Sequence, residues 1–141
     1  MFNFFRSVKS EIDRHEPDLV YLVSEGVPKH RLRLNADYKG QRVPVVDEGF
    51  HRQKREIFSL SQAFPFIFIR HPDFECDDVI GYICTGRHLQ DEVVIVSSDS
   101  DFIQLLESDN VSLWNPIKKR FIDRWPVDYI TWKSLKGDPT D

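Results

Sequence analysis

The chain has 141 residues, 40% of them hydrophobic and 30% charged. That is enough for one domain with a core and excludes a wholly disordered chain; no run approaches the roughly 18 apolar residues of a membrane helix. The net charge of −4 argues mildly against a nucleic-acid partner, yet residues 29–55 carry a net +5 and residues 73–109 a net −9.

Phe2, Phe5, Val8 and Ile12 recur at helical spacing, so the spacing predicts an amphipathic helix that stops before Pro17. Residues 19–23 form a short continuous apolar run, as expected of a strand buried on both faces. Residues 26–47 read as loop with short helix. Phe50, Ile57 and Phe64 repeat every seven residues and predict a helix over 48–64, with Arg52 and Arg55 on its other side. A second strand is expected at 66–69 and a helix at 75–88, with Cys76, Val79, Ile80 and Ile83 on its core stripe. A third buried strand follows at 93–96 and a helix near 101–107. Strands are expected near 111–114 and 120–123. Pro126 suits the first turn of a last helix that runs to about Leu135. Apolar runs that alternate with helices predict an α/β fold with a mostly parallel central sheet.

Cys76 and Cys84 are spaced for neither a disulfide framework nor a zinc site. They read as small apolar residues in a reducing compartment. The first residues, Met1 to Arg6, are too amphipathic for a signal peptide. The expectation is a soluble, cytoplasmic protein with no membrane partner.

Three acidic groups fall at telling positions. Glu75, Asp77 and Asp78 open the helix after the second strand. Asp99 and Asp101 follow the third strand directly. Asp138 and Asp141 close the chain. In a parallel α/β sheet, ligands bind outside the carboxyl ends of strands. Glu75 and Asp78 lie one helical turn apart and should oppose the core stripe; Asp77 points in a different helical direction. Asp99 and Asp101 project to one side of extended chain. An isolated carboxylate at a helix N-terminus more often caps it. Three such groups together repel one another unless cations are bound. Oxygen-only donors suit a hard divalent ion such as Mg²⁺, and two such ions would hold an attacking water and a leaving oxygen. Asp91, Glu92, Asp109, Asp123 and Asp128 read as solvated surface.

The basic segment offers Tyr38, Lys39, Gly40, Gln41 and Arg42. Cations pair with phosphate, and an aromatic ring stacks on an unpaired base. Arg52, Lys54 and Arg55 would extend that surface along the next helix.

These residues carry a resemblance. Tyr38-Lys39-Gly40-Gln41-Arg42, Glu75-Cys76-Asp77-Asp78-Val79-Ile80-Gly81, Ser97-Ser98-Asp99-Ser100-Asp101-Phe102-Ile103-Gln104-Leu105 and Lys136-Gly137-Asp138-Pro139-Thr140-Asp141 stand in the order found in the 5′–3′ exonuclease/flap endonuclease family. That family includes phage exonucleases and the 5′-nuclease domain of bacterial DNA polymerases. The resemblance implies a PIN-like fold and Mg²⁺-dependent cleavage of DNA at a 5′ end, flap or single-strand/double-strand junction, in replication or repair. It implies two Mg²⁺ ions, with Mn²⁺ as a substitute, a bacterial or phage-infected host and a monomer. Glu75, Asp77, Asp78, Asp99 and Asp101 match the family's metal ligands, and Asp138 and Asp141 its last acidic pair. Lys39 and Arg42 match the cations on the scissile phosphate, and Tyr38 matches a base-stacking aromatic. Residues 39–63 correspond to the arch, with Arg52 and Arg55 as further DNA contacts.

The chain departs from the family pattern in three places. The family's first strand, with its Asp-Gly pair, has no counterpart. Ser24-Glu25-Gly26 stands where the family has Phe-Asp-Gly, so Glu25 is a longer candidate ligand. The helix–hairpin–helix region after Asp141 is also without a counterpart. The expectation is one catalytic domain over 1–141, truncated at both ends. A PIN-type ribonuclease and a catalytically incomplete DNA-binding fragment are the alternatives.

Overall fold

The computed structural model describes residues 1–38, 40, 47–125 and 127–137. It divides into two compact units, Met1–Cys76 and Asp77–Asp141.

The first unit opens with α1 (Phe2–His15). Glu16 ends it in a left-handed conformation at φ 44°, and its N–H donates to the Ile12 carbonyl at 2.8 Å. Pro17 disfavours a helical residue before it, which is why the helix stops there. The predicted apolar stripe is used: Phe2, Phe5, Val8 and Ile12 line an apolar groove of about 490 Å³ together with Phe64 and Phe66. Phe5 stacks on Phe64 at 5.2 Å, and Phe64 on Phe66 at 5.3 Å.

Two strands, β1 (Tyr21–Ser24) and β2 (Ile67–Arg70), pair in parallel with Tyr21 opposite Ile67. Between them lie α2 (Lys29–Leu34) and α3 (Glu48–Ser61). Asp47 caps α3 by accepting from the N–H groups of Gly49 at 2.8 Å and Phe50 at 3.2 Å. Strand β1 differs from expectation in burial. Neither strand is buried on both faces: of β1 only Ser24 is buried, and of β2 no residue is. Among the described residues this sheet has two strands, so both are edges, each with one flank without a neighbouring strand.

The second unit holds the apolar core. Helix α4 (Cys76–Tyr82) runs into one π-helical turn over Ile83–Arg87. Strand β3 (Val93–Val96) lies where the sequence placed it and pairs in parallel with β4 (Val111–Asn115). The parallel pairing needs a crossover, which a 3₁₀ helix over Ser100–Glu107 supplies. Cys84, Ile95, Phe102, Leu106, Val111 and Leu113 form the core. Val94 and Val96, on the other face of β3, stay exposed, so this strand too is buried on one face only.

Strand β5 (Arg120–Ile122) pairs antiparallel with β4, with Asn115 opposite Arg120. The four-residue connection 116–119 is too short for a parallel crossover, so a hairpin is the only outcome. Helix α5 (Tyr129–Lys136) begins later than Pro126, which lies outside the described residues. Asp128 is its N-cap, accepting from the N–H groups of Ile130 at 3.2 Å and Thr131 at 3.3 Å. The α/β expectation holds. Among the described residues, however, the strands form one two-stranded parallel sheet and one three-stranded mixed sheet rather than a single central one.

Candidate metal centre

Glu75 precedes α4 and is only 2% exposed, the most buried carboxylate among the described residues. The expectation that it lies on the helix face opposite the core fails, because it stands before the first helical turn and the wheel does not apply. A buried carboxylate needs partners. Arg31 of α2 forms an ion pair with it, and the Tyr38 hydroxyl donates to the same oxygen, Oε2, at 3.0 Å. The Arg31 guanidinium also lies over the Tyr38 ring, 5.7 Å from its centre. Within the first unit, part of the basic segment therefore answers the acidic one directly. Lys29 repeats this with Asp73 at 2.6 Å, and that hydrogen bond holds the Asp73 carboxyl below its usual range.

Asp77 and Asp78 follow in the first turn of α4. One oxygen from each of Glu75, Asp77 and Asp78 lies within 4.8 Å of the others. An ion with oxygen ligands at about 2.0–2.6 Å places them no farther apart than about 4–5 Å, so this spacing fits one divalent ion. The donor set is all oxygen, which fits a hard cation. Asp77 is brought into the group despite its helical direction, and its Oδ1 accepts from the Asp78 N–H at 3.0 Å.

The remaining candidates are placed as follows. Glu25, at the end of β1, accepts from the Cys76 N–H at 3.3 Å, one residue beyond Glu75. Beside it, Gly26 is obligatory: a Cβ there would lie 2.0 Å from the His71 carbonyl oxygen and 2.2 Å from that of Phe74. Asp99 follows β3 and caps the 3₁₀ helix, accepting from the Asp101 N–H at 3.0 Å. Asp101 is ion-paired with Lys133 of α5. Asp99 and Asp101 stand outside the three-carboxylate group. Arg52 and Arg55 are exposed on α3, and Arg52 lies 4.0 Å from Glu56. Lys39, Arg42, Asp138 and Asp141 lie outside the described residues; of the 39–63 segment, residues 39 and 41–46 do so, and the rest is mostly α3.

Sequence reading missed Arg31 and Lys133 as partners of the acidic residues. Their only signal was opposite charge at large separation, 44 residues for Arg31–Glu75 and 32 for Lys133–Asp101. Asp128 is exposed, as expected of solvated surface, and in addition it starts α5, a capping role its spacing did not reveal. The Thr131 hydroxyl donates to the Asp128 carboxyl and holds it below its usual range.

The family model described as the 5′-3′ exonuclease, N-terminal resolvase-like domain, matches residues 1–130. The chain belongs to this family. It is 30% identical over 155 residues to a 5′-3′ exonuclease of Aquifex aeolicus, covering 100% of this chain and 52% of that protein. It spans 18% of the thermostable DNA polymerase I of Thermus thermophilus, at 26% identity. Among the solved structures that resemble it are two T5 proteins. One is the T5 D15 protein co-crystallised with metal ions, with TM-score 0.71 at 23% identity over 96% of this chain and 58% of that one. The other is the T5 5′-exonuclease with bound zinc, with TM-score 0.66 at 26% identity over 85% of this chain and 48% of that one. The chain thus covers about half or less of its curated relatives. Among the described residues, no helix is long and apolar enough to cross a membrane.

Proposed function

We propose that the protein is a Mg²⁺-dependent 5′–3′ exonuclease and flap endonuclease that hydrolyses DNA phosphodiester bonds near a 5′ end, flap or single-strand/double-strand junction. The observation that carries this reading is the group of Glu75, Asp77 and Asp78 oxygens within 4.8 Å, at the start of a helix in a chain of this family. Glu75, Asp77 and Asp78 hold one ion. Asp99, Asp101, Asp138 and Asp141, with Glu25, complete the sites for two. Bound divalent ions supply an activated water and offset negative charge on the phosphate oxygens.

The chain's own residues set the stage for that chemistry. Arg31 and Tyr38 hold the Glu75 carboxylate in one orientation, and burial keeps water from competing for it. Lys133 orients the more exposed Asp101 carboxylate through its ion pair, and the Asp99 side chain is held by its capping bond. Lys39 and Arg42 bind the scissile phosphate and stabilise charge that develops on it. Tyr38 stacks on the terminal base, and Arg52 and Arg55 line the path of the 5′ strand along the arch over 39–63. The protein acts as a monomer in the cytoplasm of a bacterial or phage-infected cell.

Labelled 5′-flap DNA and single-stranded RNA, incubated with Mg²⁺ or with EDTA, test the reading. Short 5′ products from DNA, dependent on Mg²⁺ and abolished by Asp78→Asn, are expected. Cleavage of RNA alone would favour a PIN-type ribonuclease. DNA binding with no cleavage would favour a non-catalytic module. Full activity in Asp78→Asn would remove the site assignment.

A further inference from the structure

The second unit carries a groove of about 340 Å³ beside Asp99, at the carboxyl end of β3. We infer that this groove seats one nucleotide of a nucleic-acid strand, with the phosphate on Lys118, Arg120 and Arg124 and the base against Trp125. The inference rests on the proposed DNA substrate and adds a contact surface to it.

The groove is built by the β4–β5 hairpin. Leu113 pairs with Ile122, and Asn115 with Arg120, so these four side chains share one face of the hairpin. All four line the groove. Its floor is therefore apolar at Leu113 and Ile122 and becomes cationic at Arg120. Asn115 is buried, and its Oδ1 accepts from the N–H groups of Ile117 at 3.0 Å and Lys118 at 2.9 Å. That bond closes the connecting loop and fixes the backbone that carries Lys118. Ser98, Asp99, Ser100 and Ile103 form the facing wall, and Asp123, Arg124 and Trp125 the end.

Charge and shape point to a phosphate rather than to a bare solvated face. Three cations line the groove against the two carboxylates of Asp99 and Asp123. Lys118 and Arg120 form no ion pair among the described residues. The pair between Arg124 and Asp109 is exposed and 3.4 Å long, so it exchanges readily for another anion. Trp125 is 36% exposed, while its ring is held edge-on by Tyr129 at 5.9 Å and tilted on Trp132 at 4.9 Å. A clamped aromatic ring with one side open is a stacking platform for a base of any sequence.

The test is fluorescence anisotropy of a labelled single-stranded dT oligomer with the 141-residue chain in Ca²⁺, with salt varied. The double variant Lys118→Ala/Arg120→Ala should weaken binding about tenfold at low salt. Its log–log salt slope should be shallower by about 1.4, the value for two lost single-strand phosphate contacts. Trp125→Phe should lose most of the oligomer-induced tryptophan quenching. Lys9→Ala, which removes a surface cation in the first unit, should change neither reading. Circular dichroism melting checks the fold, and if the double variant melts early, Lys118→Gln alone should still make the slope shallower by about 0.7. An unchanged affinity and salt slope in variants that fold would overturn the inference while leaving the DNA reading intact. No binding of any DNA by the wild-type chain would overturn both. Tight binding of free deoxynucleoside monophosphate with no binding of the oligomer would also overturn it, since the groove would then take a free nucleotide rather than a strand.

Discussion

Replacing Arg31 by methionine removes the cation from a carboxylate that is 2% exposed. Breaking a buried ion pair by deleting one partner costs about 3–5 kcal/mol, because the remaining charge is left without its counter-charge. Two features place Arg31→Met at the lower end. The Arg31 side chain is 33% exposed, so the pair is partly solvated. The Tyr38 hydroxyl still donates to Glu75 Oε2 at 3.0 Å. The expected loss is therefore about 3 kcal/mol in the first unit, which at about 4–8 °C per kcal/mol for a domain of this size lowers its melting point by more than 10 °C. All three tryptophans lie in the second unit, so the transition is followed by far-ultraviolet circular dichroism rather than by their fluorescence. The double variant Arg31→Met/Glu75→Gln should recover part of the loss, with a coupling energy of about 2 kcal/mol. Mg²⁺ should raise the melting point of Arg31→Met more than that of wild type, since the ion supplies the charge that Arg31 no longer does. A loss below about 0.5 kcal/mol with no coupling would show that the Arg31–Glu75 pair does not stabilise this unit, since deleting one member of a buried ion pair is otherwise costly.

Three further outcomes are expected. Gly26→Ala puts a Cβ 2.0 and 2.2 Å from two backbone oxygens, which must move; urea titration should show a loss of about 2 kcal/mol or more. Asp128→Ala should reduce helicity over 129–136 by removing the α5 cap, seen in Cα chemical shifts. Because the Asp128 carboxyl titrates below its usual value, the cap persists above the ordinary carboxylate range and is lost as pH falls through its depressed folded value; a two-dimensional NMR pH series reads this directly. Burial pushes the Cys84 thiol up to about 11, so in native protein at pH 8 it should resist a disulfide reagent that labels it at once in urea. Above the ordinary thiol range of about 9 the unfolded chain gives up that proton first, so this group lowers stability as pH rises.

Much of the fold was legible because apolar runs are bounded by Pro, Gly and charged residues. Val93–Val96 was read to the residue, and the helix before Pro17 ends within one residue of its predicted stop. Burial was less legible. A run such as Leu19–Val23 looks the same whether the strand has one neighbour or two, and among the described residues it has one. The direction of β5 was written in the shortness of the 116–119 connection, which periodicity does not count. At the site, the chain order put Glu75, Asp77 and Asp78 side by side, but not the burial of Glu75. That depends on Arg31 and Tyr38, 44 and 37 residues away, and no local spacing encodes such a pairing. Lys133 on Asp101 is the same case. The groove at Arg120 and Trp125 was hidden for another reason: its parts are unremarkable singly and gain meaning only when the hairpin aligns them.

The proposed function depends on a divalent ion held by the turn over residues 75–78. Paramagnetic broadening by Mn²⁺, followed in amide NMR spectra, tests it most directly. At the lowest Mn²⁺ levels the signals of Glu75, Cys76, Asp77 and Asp78 should vanish first, excess Mg²⁺ should restore them, and Asp77→Asn/Asp78→Asn should abolish the effect. Broadening that begins elsewhere, or that persists unchanged in the double variant, would mean that these carboxylates do not hold the ion.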